Sequence, residues 1–402
     1  MPKFSFKEVA PCLFAIFIDL FGIGVVVPMI MIIFNSPGHN IFLSNSVFLN
    51  YLYFGIAYTI YPLCMFFATS FFGDLSDIIG RKRTLLISTS GQALAFLITG
   101  LGVIFSNIFL FLLGRALSGI GAASQSVAMA TISDLSNEAN KALHLSYVTI
   151  VNCIGIIAGP LVGGLLAGIN LSVPCFVSGA LAFFAFLWIL ISFKETFVKS
   201  HKKFSVFRIV TIFIEAYKNK RLRQLSTAFL LMEFGILLFI PIVLIILSSK
   251  FNYSSIKLGL FSTYLGIGFL IGSAFFLPKM LKIFKIEHVV YIAFVGLFIS
   301  NSLLALLIYH EIPLYLFSFI LAVNSSVVIT GMFTAFSDIA DNESQGWVMG
   351  VAVALQALSN ALTGFFADFV TLFGGESILF LGSLSIAASL LIMRNYFSKY
   401  PI

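Results

Sequence analysis

Twelve runs of apolar residues set what this chain can fold into, at approximately 9–34, 46–72, 84–105, 108–133, 143–168, 173–193, 225–249, 256–278, 289–309, 313–336, 347–372 and 377–395. At about 1.5 Å per residue, a helix of roughly 20 residues crosses the ~30 Å hydrocarbon core of a bilayer. Lipid offers the backbone no hydrogen bonds, so an isolated apolar run crosses it as a helix. Only 10% of the residues are charged, where a soluble domain has about a quarter. The mean hydropathy of +1.07 agrees. The chain reads as an all-α membrane protein with twelve transmembrane helices.

The placement of charge orients those helices. The formal net charge is +7, yet all but three of the 23 lysines and arginines fall in tails and loops assigned to one side. The exceptions are Arg115, Lys250 and Lys257. This positive-inside asymmetry predicts a multi-pass protein of the inner (cytoplasmic) membrane with both termini in the cytoplasm, and it makes lipid rather than nucleic acid the expected partner. One connection is long. Residues 194–224 form a basic linker, with Lys194, Lys199, Lys202, Lys203, Arg208, Lys218, Lys220, Arg221 and Arg223, and Phe204 to Tyr217 alternates well enough for a helix on the membrane surface. The expected organisation is a six-helix bundle over 1–193, the linker over 194–224, and a second bundle over 225–402. The halves echo each other weakly: one offset sets Ser133-Asp134-Leu135 over Ser337-Asp338-Ile339, and Gly159-Pro160 over Thr363-Gly364. Two parallel, pseudo-symmetric bundles are a transporter architecture.

Four stretches of the first half carry chemistry. In Asp19-Leu-Phe-Gly22-Ile-Gly24-Val-Val-Val-Pro28, Asp19 lies about 15 Å deep, near mid-membrane. A carboxylate there is costly unless it faces the bundle interior, which makes it a proton-binding group by default. The alternative is a buried acid that only holds helices together. After the second run comes Gly73-Asp74-Leu75-Ser76-Asp77-Ile78-Ile79-Gly80-Arg81-Lys82-Arg83. Asp77 ends one helix and Arg81 opens the next, so Asp77 has Arg81 or helix-start amides to accept from, and the cluster suits a cytoplasmic latch. The fourth run holds Arg115, about 10 Å deep from the other side, level enough with Asp19 to pair with it or to compete with a proton for it. Its plainer alternative is a structural arginine bonded to backbone carbonyls. The fifth run contains Gly155-Ile-Ile-Ala-Gly159-Pro160-Leu-Val-Gly163-Gly164. Gly155, Gly159 and Gly163 form a bare ridge along one helix face, where a neighbouring backbone approaches closely, and Pro160 invites a kink.

Together these stretches resemble the major facilitator superfamily, in particular its twelve-helix drug/proton antiporter branch, tetracycline exporters included. Gly73 to Arg83 resembles the loop motif between helices two and three, Leu113 to Ala123 the helix-four motif, Gly155 to Gly164 the antiporter glycine-proline motif, and Asp19 to Pro28 the helix-one signature of proton-linked exporters. The resemblance implies the major facilitator fold, with a substrate cavity between halves and alternating access. It assigns Gly73, Asp77, Gly80 and Arg81 to a cytoplasmic gate, Asp19 and Arg115 to proton coupling, and Gly155, Gly159, Pro160, Gly163 and Gly164 to an interface that limits leak.

The second half departs from the pattern, with Leu281 opposite Asp77 and Phe319 opposite Arg115. Glu233-Phe-Gly235 followed by Pro241 loosely echoes Asp19 to Pro28, and Glu233, about 12 Å deep, joins the proton-coupling candidates, the alternatives being a site for a cationic substrate or a structural acid. Asp368 lies near the outer end of its run and reads as interfacial. The four cysteines sit in or beside apolar runs and the five histidines are scattered, so no metal, cofactor or enzymatic site is expected. The expected protein is a monomeric, proton-coupled exporter of a small amphipathic molecule. A metabolite or siderophore exporter, or an uptake symporter on the same fold, is the alternative.

Overall fold

The structure is a computed structural model, and it describes residues 6–35, 41–42, 47–122, 124–135, 141–195, 214, 216–339, 345–367 and 373–400. Most of the linker, including most of the surface helix expected over Phe204 to Tyr217, lies outside these residues, as does Asp368.

Every regular element described is helical: α1 (Phe6–Asn35), α2 (Val47–Ile79), α3 (Arg81–Ile104), α4 (Ile108–Gly121), α5 (Ser124–Asp134), α6 (Lys141–Ile169), α7 (Val173–Ser192), α8 (Lys220–Ser249), α9 (Ser255–Ile271), a π-helical turn (Gly272–Phe276), α10 (Leu277–Leu281), α11 (Ile286–Leu307), α12 (Glu311–Ile339), α13 (Gln345–Ala367) and α14 (Gly375–Lys399). Among the described residues, ten helical stretches are long and apolar enough to cross a membrane, and Ile108–Gly121 and Gly350–Phe366 are shorter apolar helices. These account for the twelve expected runs, with two local differences. The fourth run divides after Gly121 into α4 and α5. Glycine is a poor helix former, and the Gly121 carbonyl accepts a hydrogen bond from the Ser88 hydroxyl of α3. The eighth run carries the π-helical turn between α9 and α10.

Contacts group the chain into two compact units. The first comprises Met1–Arg208 with Tyr253–Thr263, the second Ile209–Asn252 with Tyr264–Ile402. In the first, α1 packs mainly on α6, and α3 on α4 and α7. A buried cluster including Cys12, Ile16, Phe72, Leu85, Ile132 and Ile189 fills its interior. In the second, α8 lies against α13 and α14. Lipid is as apolar as leucine, so close contact and hydrogen bonds do the joining. Ser385 and Ser389 of α14 donate to the Leu231 and Ala228 carbonyls of α8, each at 2.7 Å. Asn301 of α11 donates to Leu379 O at 3.0 Å and Ser383 Oγ at 3.1 Å. Beyond the helix ends, the Tyr309 hydroxyl donates to Glu376 at 2.6 Å, and Lys250 Nζ sits 4.0 Å from the Tyr309 ring centre. The bond to Glu376 holds the Tyr309 proton above the ordinary tyrosine range, with burial adding to it.

Candidate functional site

Asp19 is fully buried in the first unit. Its Oδ1 accepts from Gln92 Nε2 of α3 at 3.1 Å, and its Oδ2 accepts from Ser124 Oγ of α5 at 2.6 Å. Three helices therefore meet at one carboxyl group. The short hydroxyl contact has the length of a charge-assisted bond. Gly22 lets α1 come this close to α3, because a methyl group there would run into the Phe96 ring. Gln92 Oε1 is buried without a hydrogen-bond partner. A turn of this amide would exchange a donor to the carboxylate for an acceptor facing a protonated carboxyl, so Gln92 suits both states of the acid.

Arg115 lies elsewhere. It is buried, its Nε donates to the Ala57 carbonyl at 3.4 Å, and its guanidinium stacks 4.7 Å from the centre of the Tyr61 ring. Both partners belong to α2. The faces differ: Arg115 points to α2 while Asp19 bonds α3 and α5, and the two form no ion pair with each other. Arg115 Nη1 and the Tyr61 hydroxyl are buried without hydrogen-bond partners, as is Ser118 Oγ one turn further along α4. The sequence does not reveal which way a buried side chain faces.

The loop between α2 and α3 brings its residues together. Arg81 Nη1 bonds Asp77 Oδ1 at 2.8 Å and also donates to Ser76 Oγ, which donates in turn to Gly73 O at 2.8 Å. Gly80 carries the sharp turn at φ 103°, a left-handed conformation suited to glycine. Gly73 itself faces open space, so packing does not demand glycine there. The helix-start amides of α3 are taken by an acid the sequence reading passed over. Glu195 accepts from Arg81 N at 2.9 Å and Lys82 N at 3.2 Å, while Lys82 Nζ donates to Leu190 O at 3.0 Å. The only sequence signal was an acid standing at the head of a basic linker.

The glycine ridge of α6 serves two faces. Gly155, Gly159 and Gly163 lie along α1, where a methyl group on Gly159 would come within 2.8 Å of Phe21 O, and one on Gly163 within 2.6 Å of Val25 Cα. Gly24 of α1 answers from the other side, its added methyl meeting Pro160 Cδ at 2.6 Å. Gly164 faces the start of α9, where a methyl group would lie 2.9 Å from Gly259 Cα; the reverse contact, from Gly259, meets Pro160 O and Gly164 Cα. The Thr263 hydroxyl reaches Ile157 O at 3.3 Å, one residue past the carbonyl that Pro160 leaves without its helical donor. Backbone meets backbone on both faces.

In the second unit Glu233 is buried, and its Oε1 accepts from Gln356 Nε2 of α13 at 3.1 Å. Gly235 of α8 lies against the Gly382 carbonyl of α14. In place of an arginine, the Phe319 ring lies tilted against Tyr264, with centres 4.9 Å apart. A second cluster was also missed. Arg221, at the start of α8, bonds Asp338 of α12 at 2.8 Å and donates to the Tyr396 hydroxyl of α14 at 3.1 Å, with its guanidinium 5.0 Å from the Tyr400 ring centre.

Comparison with known proteins adds an independent line. A family model described as Major Facilitator Superfamily matches residues 9–364. Tetracycline resistance protein, class B, of Escherichia coli is 28% identical over 44% of this chain and 42% of its own length. The matched stretch thus spans less than half of that relative. Quinolone resistance protein NorA of Staphylococcus aureus is 24% identical over 88% of this chain and 87% of its own. Among solved structures, the human organic anion transporter MFSD10 (TETRAN) superposes with a TM-score of 0.72 at 17% identity, covering 96% of this chain and 99% of that one. A D-xylose-proton symporter superposes at 0.71 and 15% identity, covering 96% and 97%. At these identities the two structures speak for the fold alone.

Proposed function

The chain belongs to the Major Facilitator Superfamily, and from that premise we propose that it exports a small amphipathic, drug-like molecule in exchange for protons. Membership makes it a multi-pass membrane transporter of small molecules rather than an enzyme. Export, proton coupling and substrate class are our reading. We place the protein in the cytoplasmic membrane as a monomer, with both termini on the cytoplasmic side.

The observation that carries this reading is Asp19, an acid fully buried at mid-span and held by donors from two other helices. A carboxyl group in such a place binds a proton or needs one. Outward opening hydrates Asp19 and lets it take a proton from outside. The Gln92 amide turns to accept from the new hydroxyl, and Ser124 releases the oxygen it held. Inward opening returns the proton to the cytoplasm and admits substrate. Entry of one charge yields about 2.3 kcal/mol per 100 mV, enough for a concentration ratio of some tens-fold. Arg115, tied to α2, braces α4 against it, and Glu233, held by Gln356, is the second protonatable group we assign to coupling. The Asp77–Arg81 bond acts as the cytoplasmic latch, and the seam of Gly155, Gly159, Pro160, Gly163 and Gly164 keeps protons from leaking past α6. The resistance proteins named above support a drug-like substrate.

The test is transport in proteoliposomes loaded with a pH dye, under an imposed proton gradient. Tetracyclines, cationic dyes, quinolones and siderophore-like acids are added in turn. We expect at least one to move protons against its own flux in the wild type, and Asp19→Asn to abolish this while Lys399→Gln, on the surface, does not. Proton flux in the same direction as substrate would make the protein a symporter and overturn the reading. So would coupled transport that survives in Asp19→Asn.

A further inference from the structure

The cytoplasmic end of α7 and the start of α3 cap each other in both polarities. A helix start leaves amide groups without acceptors, and a helix end leaves carbonyls without donors. Glu195 supplies the acceptor for two α3 amides, Arg81 N and Lys82 N. Lys82 of α3 returns the favour, its ammonium donating to Leu190 O in the last turn of α7. Each charge also has the sign the helix dipole favours: acid at an N-terminus, base near a C-terminus. Gly80 is fitted to this arrangement, since a methyl group there would stand 2.5 Å from Glu195 Oε2 as well as straining its left-handed backbone. The residue whose amide Glu195 holds is Arg81, whose guanidinium holds Asp77 and Ser76.

We propose that Glu195 is a positioning residue for the cytoplasmic latch: by fixing the Arg81 backbone against the end of α7, it sets the reach of the Arg81 guanidinium to Asp77. The role in turnover rests on the transport reading above. The cap itself does not. A side chain that only filled space could be replaced by any residue of similar size, whereas an acceptor of two amides cannot be.

The experiment reads both claims separately on the full chain in nanodiscs and proteoliposomes. Hydrogen exchange at the Arg81 and Lys82 amides, followed by mass spectrometry, is expected to quicken about fivefold or more in Glu195→Ala, the scale of a lost helix cap. Glu195→Gln, which keeps an acceptor oxygen but no charge, should fall between. Gly80→Ala, which pushes the carboxylate away, should reproduce Glu195→Ala. In transport, Glu195→Ala should lower the maximal rate severalfold with KM and pH profile unchanged, and Glu195→Gln should restore part of it. Wild-type exchange in Glu195→Ala would overturn the cap, and quickened exchange with an unchanged maximal rate would overturn the positioning role. If the wild type moves no protons with any compound, the transport reading fails, and the cap is judged by exchange in Glu195→Ala and Gly80→Ala.

Discussion

At the scale of single residues, the structure turns on which buried polar groups have partners. Ser124 donates a 2.6 Å bond to Asp19, and a hydrogen bond to a charged group contributes about 1.5–3 kcal/mol. Ser124→Ala should therefore slow coupled proton flux by roughly tenfold without abolishing it, unlike Asp19→Asn, and Ser124→Thr should keep most of it. The dye assay reads all three. A wild-type rate in Ser124→Ala would mean that the Ser124 bond does not matter for coupling. Asp19 and Arg115 were legible in the sequence because a charge at that depth is costly wherever it faces. Their partners were not. Gln92, Ser124 and Tyr61 are ordinary residues in apolar runs, and only the packing of α1 against α3 and α5, and of α4 against α2, gives them meaning.

Among helices, the seam along α6 is the most demanding joint. Helices with ordinary side chains pack 8–10 Å apart; here the faces of α1 and α9 approach glycine and proline backbone directly. Gly163→Ala should be the costliest small change in the first unit, because its methyl group would meet Val25 backbone atoms rather than a side chain able to swing aside. Overpacking of this kind costs about 1–3 kcal/mol. A lowered melting temperature, read by tryptophan fluorescence of purified protein, would check it, and Gly73→Ala, which meets open space, is the matched control. Equal melting of the two variants would rule out a tight seam. The ridge and the proline were plain in the sequence, since glycine spacing is visible without a partner. Its second face, toward Gly259, was not: residues that far apart reveal their pairing only once the helices are in place. The same holds for Glu195 on α3 and Arg221 on α12 and α14.

For the molecule as a whole, the basic linker matters less for its own course than for how its ends are fastened. Glu195, near its start, is bonded within the first unit, and Arg221, near its end, within the second. Neither bond needs the chain between them. The start of α9, carried by the second half of the sequence, belongs to the first unit and lies on Gly164 and Pro160. Two genes could therefore stand in for one: fragments 1–208 and 209–402, made together, should copurify and recover transport, whereas fragments that accumulate without copurifying would show that covalent continuity is required. If they do assemble, the protein is by construction a heterodimer whose subunits happen to be translated in tandem, and gene fission would be an open evolutionary route for it.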